Sequence, residues 1–154
     1  MFGGIDMLFC KTSAYTNQNK LVSDDLFSII SDKISYDIAY RVKKKNNQII
    51  MKPVNNLILY NSFKPLARIT CSQDSIILNV CHTKSSIFVI IFEPVFVIFL
   101  DLITIAMKLY LTPEWLLALS VAHIVTVVLI VCAQASLSYF YKKIDKWFKN
   151  EIVN

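Results

Sequence analysis

The chain has 154 residues, 55% of them hydrophobic, and a mean hydropathy of +0.51. That excludes an ordinary soluble domain of this length and points to a membrane protein. The formal charge is +5, an excess expected at the Lys/Arg-rich flanks of membrane helices rather than in a nucleic-acid binder.

Residues 1–84 read as a small α+β domain with an antiparallel sheet, placed in the cytoplasm. The opening stretch carries Asp6, no basic segment and a short apolar run, so no signal peptide is expected. LVSDDLFSIISDKIS predicts a short helix. Ser23 is its expected cap, Asp24 and Asp25 suit the positive end of its dipole, and Leu26, Ile29, Ile30 and Ile34 keep helical spacing. From Tyr36 the period changes to two, through Ile38, Tyr40 and Val42. Lys43, Lys44 and Lys45 then lead into an Asn46-Asn47 turn, as in a strand entering a hairpin. VNNLILYNSF and PLARITC predict further strands, broken at NSFKP, and SQDS predicts a tight turn into IILNVCHT. About five strands are expected after one or more helices. A domain this short gains from packing on a membrane or on another copy. Cys10, Cys71, Cys81 and Cys132 form no C-x-x-C pair and are expected to be reduced packing thiols, without a zinc site.

Residues 85–137 predict a two-helix transmembrane hairpin, with spans at about 86–107 and 115–137. KLYLTPE connects them, with Thr112 as cap, Pro113 as the first helical residue, and Glu114 and Trp115 at an interface. The first span carries Glu93, Pro94 and Asp101, and the second His123. With midplanes near 97 and 126, Asp101 lies ~6 Å and His123 ~4–5 Å to the same side of centre, so the two meet at nearly one depth. Glu93 lies at the level of Val127 to Ile130, which offer no polar match; Lys84, Gln134 or another subunit are its expected partners. An ionised acid here costs at least ~2.5–3.5 kcal/mol on insertion scales. Glu93, Asp101 and His123 therefore read either as a polar seam for proton or ion movement or as a structural hydrogen bond fixing the hairpin. A third reading starts the helix at Pro94.

Residues 138–154 predict a basic amphipathic tail. Leu137, Phe140, Ile144, Trp147 and Phe148 share a face, with Lys142, Lys143, Lys146 and Lys149 on the other side and its edges, as in a helix lying among lipid headgroups. A solvated basic tail is the alternative. Lys84, Lys142, Lys143 and Lys146 flank one end of the hairpin, and Lys108 stands alone at the other. Both termini are therefore expected in the cytoplasm of a cell with a plasma (inner) membrane.

No active site is legible. The only glycines are Gly3 and Gly4, His82 and His123 lack metal-ligand spacing, and no Ser-His-Asp motif assembles, so no catalytic residue, metal or cofactor is expected. Lys43, Lys44 and Lys45 read as contacts for membrane lipid or as a solvated hairpin end, and no nucleic-acid partner is expected.

The run NNLILYNSFKPLARITCSQDSIILNV, followed at once by a hydrophobic span, resembles uncharacterised small bacterial two-span membrane proteins. These have a short β-rich segment with an Asn-Ser-Phe-x-Pro turn, matched here by Asn61, Ser62, Phe63 and Pro65. The likeness covers about residues 55–100 and implies no activity. The expected function is a non-enzymatic membrane protein with a cytoplasmic interaction or sensing module, contacting lipid, a protein partner or a second copy. Its candidate contacts are Asn61, Phe63, Pro65, Lys43 to Lys45, Lys142, Lys143, Lys146 and Trp147. The alternative is an oligomeric ion-conducting or membrane-disrupting effector that uses the intramembrane carboxylates.

Overall fold

The computed structural model describes residues 9–37, 40–53, 65–107 and 112–153. In chain order the elements are β1 (Cys10–Thr16), α1 (Ser23–Asp37), β2 (Tyr40–Lys45), β3 (Gln48–Pro53), β4 (Pro65–Cys71), β5 (Ser75–His82), α2 (Lys84–Ala106) and α3 (Pro113–Phe148), followed by a π-helical turn at Lys149–Val153. Two compact units result: Met1–Thr83 with Ser136–Asn154, and Lys84–Ala135.

In the first unit the strands form one five-stranded antiparallel sheet in the order β1-β5-β4-β3-β2. Strand alternation gives the sheet an apolar inner face: Ile49 and Met51 from β3, Ala67 and Ile69 from β4, and Ile76, Leu78 and Val80 from β5, all buried. α1 packs over β2, β3 and β4 and brings Leu26 and Ile30 to this face. Asp24 of α1 also pairs with Lys44 of β2. The expected cap does not form. The Ser23 hydroxyl is buried without a partner among the described residues, and the first helical hydrogen bond runs from the Leu26 N–H to the Val22 carbonyl. α1 extends to Asp37, so Tyr36 is helical and the strand begins at Tyr40. Ile38 and the strand expected at VNNLILYNSF lie outside the described residues, as do Asn61 and Phe63.

The fifth strand is β1, at the N-terminal side of α1, where no strand was expected. It pairs with β5, in register Cys10 with Cys81 through Thr16 with Ser75. Its inward side chains are Lys11, Ser13 and Tyr15, and their partners all come from the C-terminal residues. The Lys11 ammonium donates to Ser138 Oγ at 2.7 Å. The Ser13 hydroxyl donates to Asp145 Oδ1 at 2.7 Å and stands 2.6 Å from the Tyr141 hydroxyl. The Tyr15 hydroxyl donates to Asp145, and its ring lies 5.1 Å from that of Phe148. Around these bonds Leu137, Phe140, Ile144, Phe148 and Ile152 are buried in the sheet's core.

This corrects the expected tail. The apolar face formed by Phe140, Ile144, Phe148 and Ile152 lies on the sheet, not among lipid headgroups. The physical reason is that α1 covers only part of the sheet's apolar face, and an amphipathic helix loses no less water against Leu78 and Val80 than against acyl chains. Trp147 is half-buried against the same core, while Lys142, Lys143 and Lys146 remain exposed.

The cysteines are also corrected. Cys10 and Cys81, directly opposite in the β1–β5 ladder, form a disulfide; Cys71 and Cys132 are free. The bond ties the edge strand β1 to its neighbour across 71 residues of sequence. Alkylation of the denatured full chain with a mass-adding maleimide is expected to modify two cysteines without reductant and four with it. Four modified cysteines without reductant would show that the pair stays reduced.

The Asp145 cluster makes a pH prediction. Burial alone would raise the Asp145 carboxyl, but hydrogen bonds from Tyr15, Lys149 and Ser13 outweigh it and hold the group below the usual carboxylate range. Burial, together with the bond to Asp145, pushes the Tyr15 phenol up. A depressed folded carboxyl stabilises fully above the unfolded value of ~3.9, and the contribution fades as pH falls through the folded value. The melting temperature of wild type should exceed that of Asp145→Asn at pH 7, and the gap should close below about pH 4. A gap that does not change with pH would remove Asp145 from the docking of the C-terminal helix.

Candidate functional site: polar contacts between two apolar helices

The second unit holds α2 and the part of α3 up to Ala135. Both helices are long and apolar enough to cross a membrane. Few of their side chains are buried, and large apolar groups cover their outward faces, among them Phe88, Phe92, Phe99, Leu102 and Ile105 on α2 and Leu117, Ile124, Val127 and Val131 on α3. α2 runs unbroken from Lys84 through Pro94, so a helix start at Pro94 is excluded.

Ile90, Val97 and Thr104 are buried at seven-residue intervals on one stripe of α2, and Glu93, Pro94 and Asp101 lie half-buried beside them. Polar contacts at Thr104 and Asp101 join the stripe to α3 in antiparallel register. The Trp115 indole N–H donates to Thr104 Oγ at 2.6 Å, and the Thr104 hydroxyl donates to the Leu100 carbonyl at 2.8 Å. His123 Nε2 lies 3.3 Å from Asp101 Oδ2. Other hydroxyls of α3 turn back onto their own helix: Ser120 donates to the Leu116 carbonyl and Thr126 to the Ala122 carbonyl.

The His123 ring makes a second contact, to its own helix. Its Nδ1 is 2.9 Å from the Leu119 carbonyl, which only accepts, so Nδ1 carries a hydrogen. Nε2 then meets Asp101 in one of two ways. It donates to a carboxylate as imidazolium, or it accepts from a protonated carboxyl as neutral imidazole. His123 is 51% exposed and Asp101 36%, so the pair lies on the flank of the hairpin.

Of the three residues read as a polar seam, the structure joins Asp101 and His123 and leaves Glu93 apart. Glu93 is half-buried without a hydrogen-bond or ion-pair partner among the described residues. The candidate contacts on the sheet unit are separate features. Lys43 and Lys45 are exposed on the outer sheet face, Lys44 is on the inner side against Asp24, and Pro65 is buried at the start of β4.

Sequence reasoning missed the Trp115–Thr104 bond, although Thr104 stands seven residues beyond Val97 on the same stripe. Spacing excluded His82 as a metal ligand but did not reveal that it is buried at the end of β5. Neither ring nitrogen has a partner among the described residues, and burial lowers its basicity. Among the described residues no three His, Cys, Asp or Glu side chains are grouped to hold a metal ion.

A double-mutant cycle tests the helix–helix contact. Asp101→Leu and His123→Leu, alone and together, are expected to show a coupling of about 0.6 kcal/mol, the average for polar contacts between apolar helices in such cycles, in unfolding from mixed micelles. Additive effects would mean that the two side chains do not interact. Comparison with family models, with curated proteins and with solved structures finds no match.

Proposed function

We propose that the chain is a non-enzymatic integral membrane protein whose helical hairpin spans the bilayer and whose sheet unit is an interaction or sensing module. One observation carries this reading: α2 and α3 expose large apolar side chains on nearly every outward turn, as helices solvated by acyl chains do. Polar side chains of the hairpin support it as well, since its hydroxyls bond within their own helix or across to the other one.

The Lys/Arg asymmetry around the helices favours a plasma (inner) membrane with both termini in the cytoplasm. The Cys10–Cys81 disulfide suits an oxidising compartment and weighs against that orientation.

A second reading, an oligomeric ion-conducting or membrane-disrupting effector, is favoured by the flank position of the Asp101–His123 pair and by the unpartnered Glu93. Two helices enclose no pore, so this reading requires several copies around those groups.

Both readings are tested in bacterial cells expressing the full chain. Wild type should stay in the membrane pellet after alkaline carbonate extraction; release into the supernatant would refute membrane insertion. Membrane potential then separates the two. Under the first reading, wild type and Glu93→Gln/Asp101→Asn leave the potential equally intact at matched abundance. Depolarisation by wild type alone would establish the second.

A further inference from the structure

The sheet's outer face carries a set of charges that the fold does not use. Alternation places Arg41, Lys43 and Lys45 of β2, Lys52 of β3 and Arg68 of β4 on this face, opposite the buried Ile49, Met51, Ala67 and Ile69. All five are exposed, and none is paired with a carboxylate among the described residues. Arg41 and Lys52 stand directly opposite each other, a like-charge cross-strand pair that weakens a sheet. Lysines on β2 are explained by its position at the sheet's edge, where charge deters pairing with other chains. That explanation does not reach Arg68, which lies on the central strand.

Arg68 and Lys45 border a concave recess of about 470 Å³ at the β2–β3 turn, lined also by Asn46, Asn47, Gln48, Ile50 and Thr70. The ladder explains this convergence. Lys45, Gln48 and Thr70 form one row across three strands, and Lys43, Ile50 and Arg68 form the next. The two-residue turn, with Asn46 at φ 54°, closes the end. The recess thus presents an ammonium, a guanidinium, side-chain amides and a hydroxyl, with no carboxylate in its lining. This donor set matches a tetrahedral oxyanion: guanidinium and ammonium compensate its charge, and amide and hydroxyl donors reach its remaining oxygens. The outward side chains of β2, β3 and β4 include no aromatic group among the described residues, so the face lacks the stacking platform of single-stranded nucleic-acid binders.

We infer that this recess binds a phosphate group, through Lys45 and Arg68 with Gln48, Thr70 and the Asn46-Asn47 turn. The inference rests on reading the sheet unit as an interaction module and names the chemistry it recognises. A phospholipid headgroup and a free phosphorylated molecule present the same oxyanion.

The test is calorimetric titration of the full chain in neutral detergent with inorganic phosphate, with a short-chain phosphatidylglycerol, and with a single-stranded oligonucleotide. Lys45→Gln/Arg68→Gln is compared with Lys20→Gln/Lys84→Gln, which removes the same charge at exposed positions outside the recess. Saturable binding of phosphate or of the lipid is expected, weakened about tenfold or more by the first double variant and unchanged by the second. Binding of the lipid alone identifies the phosphate as a headgroup's; binding of inorganic phosphate as well shows that a free phosphorylated ligand suffices. The inference is overturned if neither binds saturably, if both double variants weaken binding equally, or if only the oligonucleotide binds. None of these outcomes bears on carbonate extraction, so its failure is distinguishable from failure of the membrane reading.

Discussion

The inner face of the sheet is the constraint on which the first unit depends. Seven buried apolar side chains from β3, β4 and β5 must be removed from water, and α1 covers them mainly over β2 to β4. The rest is covered by residues that arrive after both apolar helices have been made. Leu137, Ile144 and Phe148 are fully buried there, and burying a large apolar side chain contributes ~1.5–3 kcal/mol. The same docking satisfies β1. Lys11, Ser13 and Tyr15 point to the core side of the sheet, and without Ser138, Tyr141 and Asp145 they would lose polar partners in a half-buried site. The sheet unit is therefore not finished at residue 84. A fragment ending there lacks one side of its own core.

What could be read in advance follows from which signals are local. The two apolar helices, the α1 periodicity, the β2–β3 turn and the strands at PLARITC and IILNVCH all declare themselves within a dozen residues. β1 did not, because its pattern is inverted. In CKTSAYT the core-side positions hold Lys11, Ser13 and Tyr15, so alternation gives no apolar stripe. Its place in the sheet is set by partners more than 120 residues away. The Cys10–Cys81 bond was hidden for the same reason, since it depends on the register of a strand that was not foreseen. The C-terminal helix was legible as amphipathic, but periodicity states only that a face must be covered. Lipid and a sheet make the same demand of it.

The meeting of Asp101 with His123 was accessible because an antiparallel hairpin of known rise fixes depth, and depth alone brings those two residues together. Depth does not fix rotation about the helix axis. That is why the flank position of the pair, and the isolation of Glu93, emerged only from the structure.

In the bilayer-spanning arrangement proposed for the hairpin, rotation decides how the carboxylates are tolerated. Asp101 has a partner inside its own hairpin, His123, 3.3 Å away. Glu93 has no such arrangement among the described residues, and the α3 side chains at its depth are aliphatic. An ionised group there costs at least ~2.5–3.5 kcal/mol on insertion scales. It must carry its proton, reach hydrated headgroups, or meet a polar group of another chain. The first two outcomes leave the hairpin self-sufficient, and the third makes it one part of an assembly. The difference between an anchor and an oligomeric effector thus falls on the one carboxylate that the hairpin does not neutralise.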